Sequence, residues 1–435
     1  MAILVVGGIG VYVLMSNGNN NSGSTTATLT HRLSVLGNAF ADDTIDDKDV
    51  QVIQAYIDGK KTVTVAGNEI DLTDTNIIAY CDADNNNRVD ANDIAFVKEL
   101  MDGSAKLINY VNAKNEIASA SLPINNLVVM FRRIGTTVAM LGASDMVVGY
   151  ENNMKKGSSY GFLNFPGVAV GSQSDPDDEL IITMNKQYAS TGGVTIIADA
   201  TGADPNLEKD LPGIDVIRMP VTELGKSENG VVTLGYMLSF STKYSESVQK
   251  ALDKWIDWND GVKEKIDAAL KKQSGDKDTC LIGLYNSGTY NCRTKGVSEF
   301  EYTEMCGGNN IADDVGIEKG AQLTMSELNE ILLTYQPKHL LVMQSEGLLL
   351  NNTENMNVTY KTFSDNINSN FKGDIVMLSQ FVGTGPGYAI SLMVYANVFL
   401  GEYMEKFDVQ KEYEMFMGTM IGNTELAKLP VVVGL

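Results

Sequence analysis

The longest uninterrupted pattern in the chain runs from Ser241 to Lys272. Apolar residues recur in it at steps of three and four, which is the period of a helix with one buried face. No proline interrupts the run, and its one glycine, Gly261, costs a helix only modestly. Such a helix would be about 45 Å long. We therefore expect a rigid helix within 231–275 that bridges two α/β lobes, the alternative being an ordinary long surface helix.

The segments on both sides of this helix are predicted to form the lobes. In 126–230, short apolar strands alternate with helical patterns, beginning with NLVVMF at Asn126–Phe131. A second series of the same kind occupies 276–435 and opens with CLIGLYNSGTY at Cys280. Strands that alternate with helices favour a parallel sheet. The predicted fold class is therefore α/β, with a ligand-binding cleft between the lobes.

Ligand-binding residues in such a fold belong where strands end and helices begin. Arg132 and Arg133 follow the first strand and precede a predicted helix N-terminus, which favours an anion such as a carboxylate. Tyr160 and Phe162 could stack on a flat ligand. For every candidate the alternative is a packing contact or a surface salt bridge. The candidate cleft residues are Arg132, Arg133, Tyr160, Phe162, Tyr285, Asn286, Tyr290, Gln380 and Phe381.

From Asn126 onward, the order of segments resembles the periplasmic-type substrate-binding proteins of ABC importers for iron–siderophore, haem and cobalamin ligands. The segments that carry the resemblance are LGASDMVVGY, GSQSDPDDELI, the long helix, CGGNNIADDVG, QPKHLLVM and YAISLMVYANVFLGEY followed by FMG. The resemblance implies two Rossmann-like lobes joined by a single helix. It also implies capture of a metal chelate in the cleft and delivery to an ABC permease.

Residues 31–104 contain a duplicated acidic loop. The second copy, DADNNNRVDAND, places side-chain oxygens at loop positions one, three, five, nine and twelve, and Asn87 suits its left-handed turn. Calcium takes six to eight oxygen ligands, and this spacing wraps them around one centre. The sequence therefore predicts a Ca2+ site, the alternative being an acidic turn that caps a helix. The predicted ligands are Asp82, Asp84, Asn86, the carbonyl of Arg88, Asp90 and Asp93.

The first copy, NAFADDTIDDKD, is a weaker match because Phe40 replaces the oxygen at position three. Its candidate ligands are Asn38, Asp42, the carbonyl of Thr44, Asp46 and Asp49. Paired loops with aspartate at position twelve, each followed by one helix ending in Asp-Gly, resemble the dockerin repeat. The resemblance implies a small α-helical calcium module and a possible cohesin-like partner; a structural spacer is the alternative. Residues 105–125 are predicted to link this module to the first lobe.

Charge and residue counts exclude several classes of function. The net charge of −22 argues against a nucleic-acid partner, which needs clustered Lys and Arg, and suits hard cations. With two histidines and no nucleophile–base pair in view, we expect no enzyme. The four cysteines form no Cys-x-x-Cys pair, so a zinc site is not expected. A Cys292–Cys306 or Cys280–Cys306 disulfide and buried free thiols remain open alternatives.

The N-terminal 30 residues predict attachment to a membrane. Ala2–Met15 is apolar throughout, and the polar tract 16–26 reads as a flexible tether. The leading hypothesis is thus an extracellular, surface-anchored solute-binding protein, archaeal in style, with a calcium module. The alternative is a surface structural or filament-forming protein that reuses the fold and assembles with neighbouring copies through its N-terminal segment and calcium module.

Overall fold

The computed structural model describes residues 30–200, 202–221, 226–286, 288–344 and 356–435. The chain divides into two compact units, Met1–Leu122 and Pro123–Leu435. The predicted anchor and tether lie outside the described residues, which begin at Thr30. Among the described helices, none combines the length and the apolar character that crossing a membrane requires.

The first unit contains the two acidic loops, and each loop leads into a helix. Asp46 caps the first of these helices and Asp90 the second, and in both the aspartate three residues later completes a capping box. A small core includes Leu36, Tyr80 and Val111. The elements are α1 (Asp47–Ile57), β1 (Thr62–Val65), β2 (Asn68–Asp71), α2 (Thr75–Cys81), α3 (Ala91–Asp102), β3 (Leu107–Val111) and β4 (Ile117–Ser121).

Residues 105–125 form a hairpin rather than the predicted linker. β3 and β4 pair antiparallel within the first unit. The carbonyl of Asn109 accepts the backbone N–H of Leu36 at 2.8 Å, and its side-chain amide donates to the carbonyl of Ala83 at 2.9 Å. The hairpin thereby contacts the chain beside the first loop and within the second. With β1 and β2, it also makes the module a mixture of helices and hairpins rather than purely α-helical.

The first lobe of the second unit is built on a five-stranded parallel sheet with the order β11-β10-β5-β6-β7. Strand order reverses at β5, because β6 and β7 are added on one side of it and β10 and β11 on the other. The three residues of β5 are fully buried. The elements are β5 (Leu127–Val129), α4 (Arg132–Met140), β6 (Val147–Tyr150), β7 (Val168–Ala169), the side hairpin β8 (Gly171–Ser172) and β9 (Asp175–Pro176), α5 (Asp178–Gln187), β10 (Thr195–Asp199), α6 (Leu207–Asp210) and β11 (Asp215–Met219).

The second lobe has its own seven-stranded sheet, with β14 paired beside the path β15-β13-β12-β16-β17-β18. Its centre, β12, β16 and β17, is parallel, and β16 is buried along its whole length. The elements are β12 (Thr279–Asn286), β13 (Thr289–Cys292), α9 (Ser298–Met305), β14 (Asn309–Asn310), β15 (Gln322–Thr324), α10 (Met325–Tyr335), β16 (His339–Gln344), α11 (Met356–Asp365), β17 (Asp374–Ser379), α12 (Tyr388–Phe399), α13 (Val409–Met415), α14 (Thr424–Ala427) and β18 (Val432–Val433).

The segment predicted as the bridging helix holds parts of two helices, and the long run within it is one continuous helix. The predicted range 231–275 contains the end of α7 (Ser227–Leu238) and all of α8 (Ser245–Leu270). α8 has 26 residues and is about 39 Å long. The break falls where the side-chain oxygen of Asn125 accepts hydrogen bonds from the backbone N–H and the hydroxyl of Thr242, at 3.1 and 3.0 Å. At that point the backbone N–H of Thr242 bonds to a side chain rather than to a carbonyl of a preceding helical turn.

α8 contacts elements of both lobes. On the α7 side, Leu252 packs so close to Gly235 that a Cβ there would lie 2.9 Å from it. On the other side, the indole N–H of Trp255 donates to the carbonyl of Pro386 at 2.8 Å, and that of Trp258 donates to Glu412 at 2.9 Å. The role predicted for the long helix, a rod between two α/β halves, is confirmed.

The cysteines follow the free-thiol alternative. Cys81, Cys280, Cys292 and Cys306 are all free and buried. Burial raises the pKa of each thiol well above its ordinary value. A thiol held neutral in this way is a poor nucleophile and metal ligand.

Candidate ligand cleft and metal-binding loop

The carboxyl edges of the two sheets meet. Arg133 lies in the first turn of α4, directly after β5, and its guanidinium donates to three backbone carbonyls that follow β17. These are the carbonyls of Gln380 at 3.0 Å, Thr384 at 3.2 Å and Phe381. Arg133 is only 5% exposed. The arginine predicted to bind an anion therefore forms an internal contact between the lobes.

An aromatic cluster surrounds this contact. Tyr160, Phe162 and Phe381 have ring centroids 5.6 to 5.9 Å apart, and the Arg133 guanidinium lies 5.9 Å from the Phe381 ring. The structure thus brings four predicted cleft residues together. Tyr160 and Phe381 are buried, however, whereas Phe162 keeps part of its surface exposed. Only Phe162 of this cluster offers a face to a solute without rearrangement.

The predicted residues at β12 and β13 fall into two groups. Tyr290 is completely buried in the core of the second lobe, and its hydroxyl donates to the carbonyl of Leu341 at 2.9 Å. It cannot contact a solute, because its side chain points into the hydrophobic core below the sheet. Tyr285 is half-buried at the carboxyl end of β12, with its ring centroid 4.9 Å from that of Phe363, and Asn286 is exposed. Tyr285 and Asn286 remain at the expected edge.

Arg132 lies beside a buried carboxylate. It is half-buried, with its guanidinium 5.3 Å from the Phe131 ring and 5.8 Å from the Tyr160 ring. Burial raises the pKa of Glu151, which follows β6, while the charge of Arg132 lowers it. One carboxylate oxygen of Glu151 has no hydrogen-bond partner. An anionic ligand at Arg132 would therefore compete with Glu151.

A second polar cluster, missed by the sequence analysis, contacts α8. Glu228 of α7 accepts hydrogen bonds from Asn259 at 3.1 Å, from Lys263 at 2.9 Å and from the hydroxyl of Tyr388. Tyr388 begins α12 in the second lobe, so this cluster also joins the two lobes. Its members are separated by up to 160 positions in the chain, and no local pattern in the sequence indicates that they meet.

The second acidic loop gathers its carboxylates. Oxygens of Asp82, Asp84 and Asp93 lie within 4.8 Å of one another, and this is the one such group of potential metal ligands among the described residues. Burial, together with the charges of Asp84 and Asp82, raises the pKa of Asp93 to about 6. Burial raises the pKa of Asp82 as well. Carboxylates forced together in this way favour a divalent cation between them, and oxygen ligands suit calcium.

The other predicted ligand residues of this loop contact neighbouring residues of the same loop. Asp90 accepts the backbone N–H of Asn92 at 2.8 Å as the cap of α3, and Asn86 donates from its side chain to Asp84 at 2.9 Å. Asn87 has φ of 66°, the left-handed turn expected for it. Arg88 is largely exposed and its guanidinium lies 3.9 Å from Asp90. These contacts order the loop around the carboxylates of Asp82, Asp84 and Asp93.

The first acidic loop is held by the same pattern of backbone hydrogen bonds as the second. Both oxygens of Asp49 accept backbone N–H groups, from Phe40 and Asp46, each at 2.8 Å. In the second loop both oxygens of Asp93 do the same, from Asp84 at 3.2 Å and Asp90 at 2.7 Å. Burial raises the pKa of Asp49 to about 7. Thr44 donates its backbone N–H and hydroxyl to Asp42, each at 3.0 Å.

Similarity of this chain to known proteins is found at the level of three-dimensional structure. Neither protein-family models nor curated proteins match the chain. Among solved structures, it is similar to the TroA-like periplasmic binding protein FepB from Veillonella parvula, with a TM-score of 0.50 and 13% identity over 71% of this chain and 95% of that one. A periplasmic solute binding protein from Veillonella parvula gives 0.49, with 15% identity over 73% and 93%.

A third similar structure is the molybdate periplasmic binding protein MolA from Haemophilus influenzae, with a TM-score of 0.48 and 14% identity over 72% and 98%. Identities this low speak for the fold alone. The similarity to the TroA-like protein confirms the predicted fold class, a two-lobed α/β substrate-binding-protein fold. The dockerin resemblance, the calcium site and surface anchoring stay predictions.

Proposed function

We propose that Pro123–Leu435 is a solute-binding unit that captures an anionic metal chelate between its lobes and delivers it to an ABC permease. The observation that supports this proposal is the meeting of two carboxyl edges, at Arg133 after β5 and at 380–384 after β17. In α/β sheets, ligands bind outside the carboxyl ends of the strands where strand order reverses. The first sheet reverses at β5, next to this contact.

Recognition would use the side chains that the interlobe contact leaves partly exposed. Arg132 supplies a positive charge for an anionic ligand, and Phe162 and Tyr285 supply aromatic surface. Asn286 and Gln380 add amide groups at the same edges. A planar or chelated anion, such as an iron–siderophore, haem or a corrinoid, fits this combination of one cation with flat apolar surfaces.

A thermal-shift screen tests the proposal. The purified chain is heated with ferric hydroxamates, ferric catecholates, haem and cobalamin, and a ligand that binds only the folded state raises the unfolding midpoint. Replacing Arg132 by Gln should weaken binding of the responding compound about tenfold or more, whereas Arg88→Gln, an exposed arginine in the other unit, should not. Failure of every compound to shift the midpoint would contradict the proposal.

A structural role is the second candidate, and the burial of Arg133, Tyr160 and Phe381 favours it. These groups, which would line a cleft, are used for packing between the lobes. In this alternative the protein assembles with neighbouring copies at a surface, through its N-terminal segment and its calcium module. Electron microscopy and light scattering with and without calcium distinguish the two: ordered assemblies support the structural role, and a monomer that binds a chelate supports the solute-binding role.

We further propose that the second loop binds Ca2+ through Asp82, Asp84 and Asp93, with Asn86, Asp90 and the carbonyl of Arg88 completing the set. Bound calcium would neutralise carboxylates that otherwise repel one another. Calorimetric titration of chelator-treated protein should show saturable uptake of calcium. Asp84→Asn should weaken it at least about tenfold, and Asp58→Asn, at an exposed aspartate at the end of α1, should leave it unchanged. Equal affinities in the two variants would contradict this assignment.

We also propose that the protein is exported and held at the cell surface by residues 1–30, with the first unit available to a cohesin-like partner. The apolar run Ala2–Met15 and the net charge of −22 support this location. Protease treatment of intact cells should digest the protein, and detergent should be required to release it. Release by washing with buffer alone would contradict the anchor.

A further inference from the structure

The two acidic loops share one backbone frame but differ in how their charge is balanced. We propose that the first loop carries its own cation, the ammonium of Lys48, where the second loop binds a metal ion, so that the module takes up one calcium rather than two. This inference rests on the proposed calcium function of the second loop.

Lys48 reaches into the first loop. Its ammonium contacts the carboxylate of Asp42 and lies 3.2 Å from that of Asp46, and it stands 4.9 Å from the centre of the Phe40 ring. Asp42 and Asp46 occupy loop positions five and nine, where calcium ligands are expected. The Lys48 ammonium thus has two carboxylates and one aromatic ring as its neighbours within the loop.

The geometry itself places a positive charge inside the first loop. A lysine side chain is protonated at neutral pH, and the Lys48 ammonium lies against two of the loop carboxylates. A metal ion entering this loop would have to displace a tethered positive charge.

The second loop differs at the two positions that make this arrangement. Asp84 stands where the first loop has Phe40, and Asn92 stands where it has Lys48. Asp84 adds a carboxylate to the cluster with Asp82 and Asp93, and Asn92 contributes no charge. No cluster of metal-ligating side chains is found in the first loop, within the part of the chain that the structure describes.

A third carboxylate of the first loop is also paired with a cation of the chain. The guanidinium of Arg32 pairs with both carboxylate oxygens of Asp43, with Nε 2.7 Å from one of them. Position one, however, keeps an unused ligand: the side-chain oxygen of Asn38 is buried and has no hydrogen-bond partner. Exchange of Phe40 and Lys48 for the residues of the second loop would therefore leave enough oxygens to bind a metal ion.

Counting calcium ions in the full chain tests the inference. Native mass spectrometry and calorimetry should give one ion per molecule for the natural sequence. The double variant Phe40→Asp/Lys48→Asn should take up two, because it copies the second loop, and Asp84→Phe/Asn92→Lys should take up none. Two ions bound by the natural sequence would overturn the inference. A single ion bound by Phe40→Asp/Lys48→Asn, or by Asp84→Phe/Asn92→Lys, would overturn it as well.

Thermal unfolding in EDTA provides a readout that is independent of calcium uptake. Without metal, Lys48→Asn should unfold at least about 4 °C below the natural sequence, because Asp42 and Asp46 lose their cation, whereas exposed Lys60→Asn should change nothing. If the natural sequence binds no calcium, the proposed calcium function fails while this experiment still decides the role of Lys48. Equal midpoints for the two lysine variants would overturn that role.

Discussion

Arg133 shows how a residue can be located correctly and its role predicted wrongly. Its place after an apolar strand identified the carboxyl edge of a sheet, and the structure puts it there. Its partners, the carbonyls at 380–384, lie about 250 positions further along the chain, beyond the reach of any local pattern. The same limit explains Tyr290, where alternation along a strand does not reveal which face is covered.

Replacing Arg133 tests the interlobe contact. Arg133→Met should lower the free energy of unfolding of the second unit by about 2 kcal/mol or more, because three buried or half-buried carbonyls lose a charged donor. Arg88→Met, at an exposed arginine, is the matched control. Urea unfolding followed by tryptophan fluorescence reports on this unit, because both tryptophans lie on α8. Indistinguishable curves for the two variants would contradict the contact.

Glu151 gives a pH-dependent prediction. Because burial raises its pKa in the folded state, its ionised form disfavours folding at neutral pH, and this penalty disappears as the pH falls below its unfolded pKa. Glu151→Gln should therefore be more stable than the natural sequence at pH 7, and the difference should shrink as the pH falls towards 4. Glu414→Gln, at an exposed position, should show no such trend in urea unfolding. A difference that grows on acidification would contradict the burial of a charged Glu151.

At the level of elements, helices with a clear hydrophobic period were predicted from the sequence, and a helix buried on all sides was missed. The amphipathic run Ser241–Lys272 identified α8 to within a turn at each end. α7 was merged with it because GVVTLGYML is almost uniformly buried and has no polar face to mark a separate helix. Thr324 and Glu327 form a capping box at the start of α10, a signal that lies within four residues of sequence. The β3–β4 hairpin was missed because its anchoring contacts involve residues 26 and 73 positions away (109 − 83 and 109 − 36).

Two helical glycines give opposite predictions. Gly261, in the interior of α8, has open space where a Cβ would be, so Gly261→Ala should raise the free energy of unfolding by up to about 1 kcal/mol through helix propensity. Gly235, in α7, has both methyl groups of Leu252 at 2.9 Å from that place, so Gly235→Ala should destabilise despite the same gain in propensity. Urea unfolding measures both. Shifts of the same sign would contradict the packing of α7 on α8.

At the level of the whole molecule, the second unit keeps two separate sheets whose carboxyl edges meet beside α8. Alternation of strands and helices was sufficient to predict this architecture, because each parallel strand pair requires a helical crossover. The chemistry of the cleft could not be predicted to the same extent. Whether an arginine at the cleft edge binds a solute or the opposite lobe depends on the distance between lobes, which no spacing in the sequence encodes.

Anomalous diffraction from a bound metal chelate tests the central claim most directly. Crystals of the chain grown with the ferric or cobalt compound that gives the largest thermal shift would locate the metal independently of any assumed position. The account predicts one anomalous peak between the carboxyl edges of the two sheets, within contact of Arg132 and Tyr285. A peak elsewhere on the surface, or crystals that contain no metal after binding was saturated in solution, would contradict it.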